Sequence, residues 1–285
     1  MAILKGILVS VLIIFNTLTG TTNKFITEKP VGSKVQGIII PHHLLVGSFI
    51  NKFYSELLKK NQYDQIIILS PNHFDYGYSY IQTTNNSDLD VLIIGTKQEE
   101  KMHLNLDEKN ISLLNKNKVL KIEPKYFARE HGITSHISFL NKYYPNAKII
   151  PIIIKVSTPQ QKLDSLAIEL NKIITPKTLI IGSIDFSHYT EEFLSVQNDL
   201  RTIQYLKKIS QLNFKDFQKL EKTLGKPNNK DSIGIDSPPT LYLLSSLMMK
   251  QNKTKFHLWG RTSTASLTRN TDPANNTSHI FGWFD

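Results

Sequence analysis

Residues 65–73 read Gln-Ile-Ile-Ile-Leu-Ser-Pro-Asn-His. An unbroken aliphatic run closed at once by Ser-Pro-Asn predicts a strand buried on both faces, because a half-exposed strand would alternate apolar and polar residues. A histidine stands just beyond it. The same arrangement occurs twice more. Gly37–Ile40 leads to Pro41-His42-His43, and Thr178–Ile181 leads to Gly182-Ser183-Ile184-Asp185-Phe186-Ser187-His188. In a parallel sheet, the loops leaving the carboxyl ends of the strands line one crevice. Three such loops would gather His42 or His43, His73, Asp185 and His188 into a metal or acid/base site.

Working outward, strands and helices alternate. Val35–Ile40, Gln65–Leu69, Leu89–Ile94, Ala147–Ile154 and Leu179–Ile181 read as strands, with Lys255–Trp259 and His279–Phe284 as late ones. Helical spacing marks 47–60, 101–115, 158–174, 190–209, 213–224 and 238–249, and an apolar stripe crosses 127–144. Pro238 and Pro239 suit the first turn of the helix they open. Gly225–Asp236 is a polar loop, and Asn275-Asn276-Thr277 reads as a surface turn. The pattern predicts an α/β fold: a mostly parallel central sheet flanked by helices on both faces, in one domain over 35–285.

Composition narrows the function. The chain of 285 residues carries a net charge of +10, but its lysines are dispersed and no basic run or aromatic RNA-binding motif accompanies them. Nucleic acid is therefore not an expected partner. There is no cysteine, so disulfides, iron–sulfur clusters and thiol catalysis are excluded, and a metal must be held by His, Asp, Glu or water. A short positive start, the apolar run Gly6–Phe15 and a small polar stretch to Thr22 have the layout of a signal peptide. The run is short for a spanning helix, which needs about 20 apolar residues. Residues 1–22 are thus expected to be a signal peptide or an N-terminal membrane anchor, with the protein exported or membrane-anchored.

Adjacent residues on an extended segment point to opposite sides, so one of His42 and His43 faces the crevice. His131 and His136 are five apart and do not form an H-E-x-x-H pair. At a helix start His131 is expected to stay neutral, and His136, deeper in the apolar stripe, to be packed. Asp185 stands three residues from His188, close enough to orient its ring or share a metal. A serine nucleophile at Ser183 or Ser187 lacks a G-x-S-x-G elbow. Asp236 before Ser237-Pro238 is either a helix cap or an anionic ligand facing the crevice.

Taken in order, Ile40-Pro41-His42, Ser70-Pro71-Asn72-His73, Glu130-His131-Gly132-Ile133-Thr134-Ser135-His136, Ser183–His188 and the Pro239 helix start resemble the MEMO family, which includes the AmmeMemoRadiSam system protein B. Phe281-Gly282-Trp283 is similar to the family's last strand. The resemblance spans roughly Val35 to Asp285. It implies the LigB-type α/β fold of class III extradiol dioxygenases, in which two histidines and a carboxylate hold Fe(II) and another histidine is the acid/base. It makes His42 and His73 the ligand histidines, and Asp185 and His188 the supporting carboxylate and acid/base; His131, read above as a neutral hydrogen-bond partner at a helix start, is a further catalytic candidate on its own residues. Three departures stand out. The family's A-G-S-W-Y motif is missing, Thr134 replaces a Glu, and the usual cysteine before the last helix is replaced by Ile235 or Asp236. Asp236 is the expected third ligand, since it completes a 2-His-1-carboxylate set suited to Fe(II), with copper and zinc as alternatives.

The resulting expectation is an exported MEMO-like protein with a metal-binding pocket, acting as a non-haem Fe(II) oxidoreductase on an unidentified small molecule. A non-catalytic module binding a peptide or small ligand, and a metal-dependent hydrolase, are the alternatives.

Overall fold

The computed structural model of the chain describes residues 31–92 and 99–285. The apolar segment read as a signal peptide or anchor lies outside them. The strands are β1 (Gly37–Ile40), β2 (Gln65–Pro71), β3 (Ile81–Thr83), β4 (Asp88–Leu92), β5 (Glu99–His103), β6 (Lys121–Ile122), β7 (Lys148–Ile154), β8 (Thr178–Ser183), β9 (Phe256–Ser263) and β10 (Ser278–Phe284). Among the described residues they form an eight-stranded sheet in the order β6-β3-β7-β2-β8-β1-β10-β9 and a separate β4–β5 ribbon. The helices are α1 (Gly47–Leu58), α2 (Glu108–Lys116), α3 (His131–Tyr143), α4 (Gln160–Ile173), α5 (Glu192–Leu206), α6 (Phe214–Lys219), α7 (Pro238–Lys250) and α8 (Thr264–Thr268).

The centre of the sheet, β7-β2-β8-β1, is parallel. Every residue of β1, β2 and β8 is buried, which is why their sequences are continuous rather than alternating. On one side β10 and β9 complete the sheet antiparallel to β1, and on the other β3 runs antiparallel to β7. Helices flank the sheet in two packed groups, α1 with α3 and α4 with α7 and α6. In α4, Leu163, Leu166, Ala167 and Leu170 are buried at helical spacing, and each leucine contributes about 2 kcal/mol of burial. One continuous apolar core extends from Val31 to Phe284. No described helix is long and apolar enough to cross a membrane.

Several elements differ from the sequence reading. The segment read as a helix from Lys101 begins with β5, and α2 starts only at Glu108, where the Asp107 side chain accepts from Asn110 N. The strand expected over Leu89–Ile94 pairs with β5 outside the main sheet, and its last two residues lie outside the described ones. The stripe over 127–144 is broken: Pro124–Arg129 forms a 3-10 turn, and Glu130 then caps α3 by accepting from Gly132 N. Asn276 is buried rather than on a surface turn; it accepts from Ala265 N and donates to the Thr190 carbonyl.

The parallel core fixes the site. Ile40 of β1 is in register with Ser183 of β8, and Leu69 of β2 with Gly182. The segments just past these strand ends carry His42, His73 and Asp185.

Candidate metal site

His42 follows β1 through Pro41, His73 follows β2, and His131 is the first residue of α3. Each offers one ring nitrogen, and the three nitrogens lie within 4.8 Å of one another. The His73 and His131 rings are 3.9 Å apart at a 31° tilt, and His42 meets them edge-on with centroids at 4.7 and 5.1 Å.

Two carboxylates close the other side. Asp185 follows β8; Asp236 precedes α7. Their backbones are tied, with Asp236 N donating to the Asp185 carbonyl at 3.3 Å and Asp185 N donating to Asp236 Oδ2 at 3.1 Å. The cap of α7 is Ser237, whose Oγ accepts from Thr240 N, so Asp236 is free to face the crevice. Its Oδ2 lies 3.5 Å from His42 Nε2 and 3.7 Å from His73 Nε2, while Asp185 Oδ2 lies 3.4 Å from His42 Nε2.

Supporting groups hold these side chains. Glu130 is buried and takes three donors: His73 Nδ1 at 2.6 Å, His73 N at 3.0 Å and Gly132 N at 3.0 Å. His42 Nδ1 lies 3.2 Å from Ser183 Oγ, which also lies 3.1 Å from His136 Nε2. Asp185 Oδ1 lies 3.3 Å from Nδ1 of the buried His279 on β10. Asp185 thus faces His42 and His279, while His188 Nδ1 donates to the Phe186 carbonyl at 2.6 Å. The loop carrying Asp185 and His188 is anchored from below. Ser187 and Ser278 donate to Asp199, and Asp199 and Glu192 pair with the half-buried Arg261 at 2.8 and 2.6 Å.

Burial drives the His42 imidazole well below its ordinary range, outweighing the pull of Asp185. It lowers His131 to about 4, helped by repulsion from His73, and His136 to about 4. The neutrality of His131 thus has a different origin from the helix start invoked above. Burial also pulls His73 down, yet the Asp236 carboxylate 3.7 Å from Nε2 and the hydrogen-bonded Glu130 prevail and raise it to about 10. Burial raises Asp236.

The donor set fits a cation. His73 Nε2 and Asp236 Oδ1 are both buried without a hydrogen-bond partner, an arrangement that costs about 1–3 kcal/mol per group when nothing compensates. His73 Nε2 points into the space where the imidazoles and carboxylates converge, 3.7 Å from Asp236 Oδ2. Two imidazoles, a carboxylate and a third imidazole are hard-to-borderline donors that suit a first-row divalent ion.

The crevice has an aromatic rim. Phe74 stacks with Tyr76 at 5.4 Å and approaches His131 at 6.1 Å, and Tyr76 leans on Tyr126 at 5.0 Å. Phe74 and Tyr76 are about half exposed. Their loop is pinned all round. Lys155 Nζ donates to the carbonyls of Asp75 and Gly77; Glu123 accepts from Tyr78 N and Ser79 N; Gln82 Nε2 donates to the carbonyls of Tyr76 and Ser79. Gly77 has φ +78°, and a Cβ there would collide with Glu123 Oε2.

Of the residues singled out from sequence, His42, His73, His131, Asp185 and Asp236 come together. His43 turns away, its ring 5.2 Å from His279, and its Nδ1 accepts from Leu45 N. His188 sits half-buried beside the cluster, paired in backbone with Ile233. Glu130, Ser183 as a ring partner and His279 were not assigned site roles. Glu130 had a readable signal, an acid directly before a histidine at a helix start. His279 sits inside an apolar strand, where nothing local distinguishes it.

Fold and site together define an α/β protein whose parallel strand ends converge on an imidazole and carboxylate cluster. The profile of the family described as Memo-like protein matches residues 15–272, and the chain belongs to the Memo family. It is 26% identical over 183 residues to a MEMO1 family protein of Saccharolobus solfataricus, covering 62% of this chain and 61% of that one. A MEMO1 family protein of Saccharolobus islandicus (strain Y.G.57.14) matches at 25% over 183 residues with the same shares. A MEMO1 family protein of Aquifex aeolicus is 26% identical over 165 residues, covering 56% of this chain and 41% of that one. The match thus spans about three fifths of the length of the first of these relatives. Among solved structures, an uncharacterized protein from Escherichia coli K12 superposes with a TM-score of 0.53 at 9% identity, covering 87% of this chain and 99% of that one. That likeness is one of fold.

Proposed function

We propose that this Memo-family protein binds one divalent cation, Fe(II) in its active form, through His42, His73 and Asp236, and acts as an oxidoreductase. The observation that carries the reading is the convergence of His42, His73 and Asp236, with His73 Nε2 buried and unpartnered 3.7 Å from Asp236 Oδ2. His131 Nδ1 or Nε2 stands at the open side as a fourth donor. The absence of any thiolate favours iron over a zinc–cysteine type of site. Bound there, the cation supplies Lewis acidity and one-electron chemistry.

The chain's own groups supply proton handling. His131, neutral at physiological pH because its value falls to about 4, has one bare ring nitrogen to turn to the cation and one N–H to donate to a bound ligand. His188 keeps Nδ1 on the Phe186 carbonyl, which leaves Nε2 as its acceptor for a ligand proton. Asp185, itself beside His279 Nδ1, presents Oδ2 next to His42 Nε2 at 3.4 Å as a further anionic group facing the cation. Phe74 and Tyr76 exclude water from the mouth and offer flat apolar surface to whatever enters.

Anaerobic Fe(II) loading followed by elemental analysis is expected to give close to one metal per chain. His73→Ala and Asp236→Ala abolish it, and His131→Ala weakens it. Wild-type protein that takes up no metal, or an Asp236→Ala variant that keeps it all, removes this reading. Oxygen uptake with a panel of small diols then tests turnover. A second reading, a non-catalytic site for a small ligand or peptide, draws on the exposed aromatic rim, and tight metal binding without turnover favours it. The apolar run Gly6–Phe15 supports export or anchoring; N-terminal sequencing of protein recovered from the producing cell checks it.

A further inference from the structure

Three fully buried groups stand in a row behind His42, itself nearly as buried: Tyr54 on α1, His136 on α3 and Ser183 at the end of β8. Tyr54 OH lies 3.1 Å from His136 Nδ1, His136 Nε2 lies 3.1 Å from Ser183 Oγ, and Ser183 Oγ lies 3.2 Å from His42 Nδ1. The same Ser183 hydroxyl donates to the Gly132 carbonyl at 2.6 Å.

Counting protons settles the direction of every bond. A carbonyl only accepts, and a serine hydroxyl has one hydrogen, so that hydrogen belongs to Gly132. Ser183 Oγ then has two lone pairs left, and both neighbouring rings must donate to it. His136 therefore carries its proton on Nε2, and its bare Nδ1 accepts from the Tyr54 hydroxyl. His42 carries its proton on Nδ1. A neutral imidazole, the form that burial favours, has one proton to place. We propose that Tyr54, His136 and Ser183 form a buried tautomer lock that keeps the His42 proton on Nδ1 and its Nε2 bare. The inference rests on the metal-site reading above and extends it, since it explains how one ligand is prepared before any cation arrives.

The consequence is visible at the other end of the ring. A bare Nε2 faces Asp185 Oδ2 at 3.4 Å and Asp236 Oδ2 at 3.5 Å. Asp236 Oδ2 already accepts from Asp185 N. Three electron-rich atoms then converge with no ring proton between His42 and the carboxylates, an arrangement satisfied by a cation. Were the proton on Nε2, it would serve these carboxylates, while two lone pairs would oppose each other at Ser183 inside the core. The lock makes Ser183 and His136 positioning residues, because neither touches the cation.

The test is long-range ¹H–¹⁵N correlation of the metal-free full chain, histidine-labelled, at neutral pH, with His42 and His136 assigned by loss of their signals in His42→Gln and His136→Gln. The expected result is a protonated Nδ1 with a bare Nε2 for His42, and the reverse for His136. In Ser183→Ala both rings lose their shared acceptor; the His42 signature moves to a mixture of tautomers, and Zn(II) affinity by chelator competition falls about ten- to a hundredfold. Tyr54→Phe removes the outermost donor but leaves Ser183 as the shared acceptor, so both rings keep their tautomers and only the bare His136 Nδ1 shift moves as its hydrogen bond is lost; if Ser183→Ala does not fold, the wild-type tautomers alone test the lock. A wild-type His42 with its proton on Nε2, a wild-type His136 with its proton on Nδ1, or a His42 signature unmoved in Ser183→Ala, overturns the lock. The two readings fail separately: the tautomers are seen without metal, so the expected pattern in a protein that takes up no Zn(II) or Fe(II) leaves the lock standing and removes the metal site.

Discussion

Replacing Glu130 by alanine should unseat both the helix and the ligand it supports. Its carboxylate takes Gly132 N as the cap of α3 and takes His73 twice, through Nδ1 and the backbone N. Loss of the cap costs about 1 kcal/mol. The two His73 donors are left in a largely buried site, each at about 1 kcal/mol or more. The total expected is about 3–5 kcal/mol, in line with removing one partner of a buried charged pair. The ring of His73 is also released, because Nδ1 no longer has the acceptor that holds it at 2.6 Å. Metal affinity should then drop about ten- to a hundredfold. Urea unfolding at pH 7 reads the first quantity, and Zn(II) competition against a chelator reads the second. Glu130→Gln, which retains one carbonyl oxygen, should recover part of both. An alanine variant that loses less than about 1 kcal/mol and binds Zn(II) like the wild type would refute the reasoning, since neither the cap nor the ring contact would then matter.

Three other outcomes follow from the geometry. His136 titrates near 4 in the fold and at its ordinary 6.5 when unfolded, so above pH 6.5 it leaves stability unchanged; as pH falls from 6.5 to 4 only the unfolded chain takes the proton, and about 3 kcal/mol is lost. Urea melts across that window should show a shallower slope in His136→Gln, and an unchanged slope contradicts the assignment. Arg261→Leu strands the buried Asp199 carboxylate and should cost about 3–5 kcal/mol in thermal or urea unfolding, with Arg261→Leu/Asp199→Asn recovering part of it. Gly77→Ala places a side chain at φ +78° against Glu123 and should release the aromatic loop, read as faster amide exchange at Tyr78 and Ser79 with the core amides unaffected.

The parallel centre of the fold was legible because burial on both faces writes itself into sequence as uninterrupted isoleucine, as in β2 and β7. The short β3 and β6 were not, since two or three residues carry no period. The β4–β5 ribbon escaped for another reason. It is charged and largely exposed along β5, so Lys101–His103 mimicked the start of the helix that follows. At the site, strand ends announced His42, His73 and Asp185. Asp236 needed the structure to separate it from a cap, and the answer lay in its neighbour Ser237 taking that role. Glu130, Ser183 and His279 act through contacts between residues 47 to 141 apart in sequence, a relation no local pattern records.

The loop of Phe74 and Tyr76 has one more implication. Lys155, Glu123, Gln82 and Asn72 hold its backbone from four directions, so its outline is settled before a guest arrives. Little freedom remains to be surrendered on capture, and the entrance behaves as a fixed template instead of a closing flap. Choice among guests at this mouth is then made by shape, and a molecule that matches is retained through slow departure more than through fast arrival.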